Sequence, residues 1–517
     1  MTARVIGPNI QWLKAVPLLI LTGLLTILAL GALTGAHSTQ APARNALFDF
    51  FQRLSPADHD PSENFHIIAI DEASLAKAGP WPWPRTVLAE IVETAAAAGA
   101  KAVILAEPMD TPDPLSPETI GEFWLEGASD DALAQQLARL PRTNQVLARS
   151  FSGVDGAIAV SLNALSSEIN AAPLSRVSAD TAPWLTFEGA RAGFVALPIA
   201  IAQYPVDPDL MASAEPAIAS LTPYPDGLIR SATILWSWND APTPSLALKA
   251  AFLALGETAL TASADPTSAA SEGSLIRTMQ ITDTALAIDP AQQFRLHLPK
   301  RIQTPATSAA RFLGGAGSNR QVEGAVVIIG RASDLGPTLQ TSRGPVSPAE
   351  MHSLIASQIA AGISLQRPQW TGYAEALATM LLGAAAIMFA QRLQFWQAAA
   401  FASALAILLI VGAFTAFASA DLLLDPLPAA AALFVGALSV AGGRSLGGAL
   451  RDDSVRGAFQ DSLPNPALKD LASQGARAFD GVKRDITVLA CELRFADEDI
   501  EALGDSPDEA VKVLAAA

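Results

Sequence analysis

FHIIAIDEASLAKAGPWPWPRTVLAEIVETAAAAGAKAVIL, residues 65–105, decides how the largest polar part of this chain is read. FHIIAI (Phe65–Ile70) is an apolar run of strand length that stops at Asp71. Leu88–Ala98 reads as a helix and KAVIL (Lys101–Leu105) as a second strand. Strand, helix and strand in that order predict a unit with a parallel pairing. Downstream, AVVII (Ala325–Ile329) stops at Gly330, and Ala349–Ala361 reads as a further helix. Asp71, Glu107 and Asp334 stand near strand ends. Ligands of α/β sheets commonly bind there, and helices and turns equally need caps there.

Outward from this region the chain becomes apolar. Of its 517 residues, 50% are hydrophobic and 16% charged, with a mean hydropathy of +0.32. Soluble domains carry about 25% charged residues, so a disordered chain is excluded and an all-soluble enzyme disfavoured. The excess sits in four runs: residues 12–33 (WLKAVPLLILTGLLTILALGAL), 371–390, 398–419 and 427–442. The first has roughly the 20 residues that a bilayer core demands. It exceeds a signal-peptide core of about 7–15 residues, so a retained anchor is expected rather than a leader cleaved near ALTGAHS.

Basic residues orient the spans. Arg4 and Lys14 flank the first, Arg392 lies between the second and third, and Arg444 and Arg451 follow the fourth. Only Asp421 and Asp425 separate the third and fourth. The expected plan is a cytoplasmic N-terminus (residues 1–11), an external or periplasmic domain (36–369), and a cytoplasmic linker (444–482) after the fourth span. Both termini are then cytoplasmic, and the protein is a multi-pass inner (plasma) membrane protein.

The net charge of −17 argues against nucleic acid as a partner. A single cysteine, Cys491, excludes a disulfide framework, and five scattered histidines give no zinc spacing. Within WPWPR, Trp81, Trp83 and Arg85 form either a ligand wall or a packed corner in which Arg85 pairs with Asp71. Arg230 follows the Asp226-Gly227 turn and reads as a strand-edge ion pair or an anion binder. Asp71, Trp81, Trp83, Arg85, Asp226 and Arg230 are the candidate ligand-binding residues.

The external region resembles the type-two CHASE sensor family. The resemblance rests on AIDEASLAKAGPWPWPR (69–85), AGAKAVIL (98–105), YPDGLIRSATIL (224–235), PSLALKAAFLALG (244–256), VEGAVVIIGRASDLG (322–336) and GPVSPAEMHSLIASQIAAG (344–362). These segments occur in the family's order and are followed by its three closing spans. The resemblance implies a mixed α/β sensor for an unknown small-molecule or envelope ligand.

After the last span, Phe459–Pro464 and KRDITVLACELR (483–494) resemble the opening of a class III adenylate or guanylate cyclase domain. Residues 483–517 are thus expected to be a short cytoplasmic α/β stub. Thr487–Leu489, Leu493, Phe495, Pro507, Glu509 and Val511 match, but Glu492 stands where the family has a metal-binding Asp. A longer carboxylate fits poorly in a magnesium site that demands near-octahedral geometry. The resemblance implies Mg or Mn only for a complete cyclase domain, and a homodimer. The expected function is a signal-transduction receptor with an incomplete, inactive output. The alternatives are a cyclase whose catalytic half lies outside this chain, and an anchored envelope-binding protein without output.

Overall fold

The computed structural model describes residues 41–459, except 62, 126–130, 138, 163–173, 179–181, 191–192, 203, 266–272, 283 and 315–319. The first apolar run (12–33), Cys491, Glu492 and the expected stub lie outside the described residues. The chain divides into two compact units, residues 1–440 and 441–517.

The first unit is built on a six-stranded sheet. Its strands are β1 (Phe65–Ile70), β2 (Ala102–Pro108), β3 (Asp155–Val160), β4 (Glu215–Ile218), β5 (Ala306–Ser308) and β6 (Val326–Arg331). They lie in the order β5-β1-β6-β2-β3-β4, and every pairing is parallel. A parallel sheet is covered on both faces, which is why its strands are apolar throughout. One face carries Phe65, Ile104 and Ile328 against α4 (Leu246–Leu255) and α5 (Pro348–Ala360). The other carries Ile68, Ile70, Val103 and Ile329 against Leu88, Ile91 and Val92 of α3 (Arg85–Ala97). Between β1 and α3 stands a short helix, α2 (Glu72–Ala78).

FHIIAI and KAVIL are therefore parallel strands of one sheet, but they are not neighbours. The AVVII strand, β6, lies between them: Ile328 pairs with Ile67 on one side and with Ile104 on the other. The predicted pairing fails because the chain fills the gap with its most apolar late strand. Two four-stranded sheets stand beside the parallel one. They join 241–244, 235–238, 194–200 and 174–178, and 284–287, 275–281, 260–265 and 185–188.

A helix, α1 (Ala41–Leu54), precedes the sheet. Three helices close the described chain: α6 (Gln369–Ala390), α7 (Phe395–Ala420) and α8 (Leu427–Phe459). Their apolar windows, Trp370–Ala390, Phe395–Ala420 and Leu427–Arg444, have mean hydropathies of 1.6, 2.3 and 1.4, and each is long and apolar enough to cross a membrane. Tyr373, Leu377, Leu381, Ile407 and Leu408 stand exposed on α6 and α7, as lipid-facing side chains do. A Cβ at Gly436 would lie 3.0 Å from the Gly383 carbonyl oxygen, so glycine is what lets α8 approach α6. The last helix continues past the Gly442 end read from its apolar run.

His352 of α5 is 1% exposed, and burial pushes its imidazole down to about 4. Burial pushes His66 of β1 in the same direction. An imidazole depressed in the folded state contributes stability that is complete above its unfolded value of about 6.5. That stability is lost as pH falls toward the folded value. The Tm of the chain in detergent is expected to drop between about pH 6.5 and pH 4, and His352→Met to remove part of the drop. An identical pH profile in the variant would show that His352 is not held neutral by burial.

Candidate functional site

Two places gather charged side chains around this fold: the carboxyl edge of the parallel sheet, and the junction between the sheet domain and the apolar helices.

At the carboxyl edge, Asp71 caps α2. Its Oδ1 accepts the Ser74 backbone N–H at 2.9 Å and the Ser308 hydroxyl at 2.7 Å. Burial pulls this carboxyl upward, but the hydrogen bonds from Ser308 and Ser74 outweigh it and hold the group below the usual carboxylate range. Glu107, on β2, accepts both the backbone N–H and the Nε–H of Arg331 on β6, each at 3.0 Å. The Arg331 guanidinium stands 5.5 Å from the centre of the Trp81 ring, which tilts against Trp83 at 5.8 Å. Trp83 donates its indole N–H to the Gly79 carbonyl at 2.8 Å. Asp334 is exposed.

Arg85 does not pair with Asp71. It opens α3, which aims it at the loop after β2. Its backbone N–H reaches Asp113 at 3.0 Å, and its guanidinium donates to the carbonyls of Met109, at 2.9 Å, and Thr111. Asp71 is already occupied by its serines, so the packed-corner expectation keeps the burial of Arg85 and changes its partner. The edge is closed by these contacts. A cavity of about 530 Å³ opens instead at the amino-terminal side of the strands, lined in part by Lys101, Asp155, Trp184, Glu215, Lys249 and Phe252.

Arg230 belongs to the junction. Its Nε and Nη2 donate to the two oxygens of Asp49 at 3.0 and 2.7 Å. Its Nη1 and Nη2 donate to Asp226 at 2.8 and 2.6 Å. Arg230 and Asp49 are 7% and 4% exposed. Burial pulls the guanidinium down, but the hydrogen bonds it donates to Asp226 and Asp49 outweigh that and raise it. Asp49 lies on α1, whose Phe48 and Phe51 pack with Ala413 and Phe417 of α7 and with Leu365 and Leu423. One helix thus carries a buried ion pair toward the sheet domain and an aromatic face toward α7.

The helix ends complete the junction. Gln366 donates its N–H to the Asp421 carbonyl at 2.8 Å and accepts from the N–H of Leu423 at 2.9 Å. Arg367 pairs with Glu375 of α6 at 2.8 Å, and the other Glu375 oxygen accepts the Asp425 N–H at 2.8 Å. His297 stands between Asp421 and the Ser55 carbonyl. The start of α6, the end of α7 and the connector into α8 are therefore tied to the segment that follows α5, and His297 joins the end of α7 to the sheet domain. Sequence reasoning missed Asp49, His297, Arg367 and Glu375 as site residues. The one local signal was a carboxylate inside an otherwise aromatic or apolar helix, in FDFFQR of α1 and in YAEAL, in the second turn of α6. Among the described residues no group of three or more His, Cys, Asp and Glu is placed to hold a metal ion.

Residues 21–390, well over half of the chain, match the CHASE2 domain family. No curated protein and no solved structure matches the chain.

Removing one member of the Arg230–Asp49 pair leaves its partner charged and buried. Arg230→Met and Asp49→Leu are each expected to cost about 3–5 kcal/mol, read as a lower Tm. The double variant is expected to cost clearly less than the sum. Additive losses would show that the two side chains do not act as one unit.

Proposed function

The chain belongs to the CHASE2 family, and on that premise we propose that it is a membrane receptor. Its sheet domain faces the outside of the cell, or the periplasm, and senses a small molecule or envelope component there. The single observation that carries this reading is the junction, where one buried cluster joins the sheet domain to the ends of three apolar helices. A sensor coupled to a membrane needs such a shared element, because a stimulus acts at a distance only through contacts that both sites bias.

The residues at the helix ends support the orientation. Acidic Asp421 and Asp425 lie on the sheet-domain side, between α7 and α8, while Arg392 lies at the other end of α6 and α7. By the positive-inside rule this supports a sheet domain outside and Arg392 in the cytoplasm. The run at 12–33 supplies the first of four spans in this proposal, with both termini cytoplasmic in the inner membrane. The 530 Å³ cavity is where a small-molecule stimulus fits best, since ligand sites are concave and of this size.

For the output, residues 483–517 support a cyclase-like stub by resemblance. Glu492, at the position of a metal-binding Asp, supports a stub without turnover. The receptor works as a homodimer in this reading, as cyclase-type outputs do.

Reporter fusions are expected to read cytoplasmic after Arg392 and after Arg451, and external within 41–366 and at 421–425. An external signal after Arg392 would overturn the orientation. Membranes containing the 517-residue chain alone are expected to form no cyclic nucleotide from ATP or GTP with Mg or Mn. Clear metal-dependent turnover would overturn the inactive output and favour the cyclase reading.

A further inference from the structure

Four histidines lie among the described residues, and three are arranged to stay neutral. Burial pushes His352 to about 4 and His66 downward. His59 is pushed to about 4, first by burial and then by its neighbour His297.

His297 is placed differently. Its Nδ1 lies 2.9 Å from Asp421 Oδ1, at the end of α7. Its Nε2 lies 2.9 Å from the Ser55 carbonyl oxygen, just after α1. A carboxylate and a carbonyl only accept, whereas a neutral imidazole carries a single N–H. Both contacts are hydrogen bonds only when the ring holds two protons. Other groups hold the residue in place: its backbone N–H donates to Gln358 of α5 at 3.0 Å, and the Phe417 ring of α7 lies tilted against the imidazole, with ring centres 4.9 Å apart. The titratable and charged groups nearby are Asp421, the neutral His59 with its neighbours Asp58 and Asp60, and, two residues back on its own segment, Arg295, which pairs with Asp289 at 3.2 Å.

We propose that His297 is a proton-responsive latch, which as imidazolium ties the end of α7 and the segment after α1 to the sheet domain, and on losing its proton lets the segment after α1 go. The asymmetry follows from the acceptors. The remaining N–H stays on Nδ1, because a carboxylate is the stronger acceptor. The Nε2 lone pair then faces the lone pairs of the Ser55 carbonyl, and that contact is lost. Acidification on the sensor side closes the latch, and neutral to alkaline pH opens it. Histidine is the side chain whose charge changes in the range of about pH 5 to 8. That an open latch alters the signal rests on the receptor reading, but the latch itself does not.

The test uses the full chain in lipid nanodiscs, with its histidines labelled with nitrogen-15. At about pH 5.5 one of the four described histidines is expected to show both ring nitrogens protonated, and that signal to vanish in His297→Gln. In Asp421→Asn the same ring is expected to lose its second proton at lower pH. Hydrogen exchange, corrected for its intrinsic pH dependence, gives an independent readout. The Ala57 N–H donates to the Leu298 carbonyl beside the latch at 3.0 Å. Between about pH 5.5 and pH 8 its protection is expected to fall about tenfold, the size of one charge-assisted hydrogen bond. Protection at Leu423 is expected to stay level.

A singly protonated His297 at the acid pH would overturn the proposal. So would equal protection of Ala57 at both values, or a drop that persists in His297→Gln. If that variant fails to fold, the wild-type ring signals and Asp421→Asn still decide. None of these readouts depends on a ligand or an output domain, so failure here leaves the receptor reading standing.

Discussion

Arg230 is always charged and almost wholly buried, so its N–H groups must find acceptors within reach. Asp226, four residues away, answers one side of the fork. The other side is answered by Asp49 from α1, and this second pairing places α1 against the sheet domain. Once α1 is seated, Phe48 and Phe51 offer an apolar face to α7, and Leu365 and Leu423 fill the same cluster. The membrane-side architecture is thus assembled on one guanidinium, and the hydrophobic contacts around it exclude the water that would otherwise compete for its donors.

The junction does not rely on that pair alone. Main-chain hydrogen bonds join Gln366 to both Asp421 and Leu423, and Glu375 bridges Arg367 to the backbone of Asp425. The Gln366 bonds join backbone groups, which keep their hydrogen-bonding character at any pH. His297 is the exception, since its two contacts are both hydrogen bonds only while the ring holds two protons. A rigid frame with one conditional contact is a physical basis for two arrangements of nearly equal free energy.

Local signals were legible and long-range ones were not. The apolar runs marked β1, β2, β6 and the three closing helices, because a buried strand or a membrane helix must be apolar wherever it falls in the chain. The position of β6 between β1 and β2 was not legible, since either neighbour would satisfy the same run of Val and Ile. The two mixed four-stranded sheets between residues 174 and 287 gave no alternation strong enough to read. At the site, Asp226 and Arg230 stood close enough in sequence to suggest a pair, whereas Asp49 is separated from Arg230 by 181 residues. Arg85 was matched to Asp71 because both lay at one strand end. The structure assigns Asp71 to its serine cap, and the direction of α3 sends Arg85 to Asp113 and two carbonyls.

The insertion of β6 between β1 and β2 also sets the order in which the domain is born. Residues 65–70 and 102–108 emerge early, but the strand that joins them, 326–331, emerges more than two hundred residues later. The central sheet cannot close until nearly the whole domain has been made, so β1 waits without either neighbour, and β2 with β3 alone, in the interval. Such late, non-local closure is slow and exposes strand edges to wrong partners. α6 begins within forty residues of the strand that completes the sheet. The domain therefore becomes able to fold at almost the moment the first of its three closing apolar helices is made.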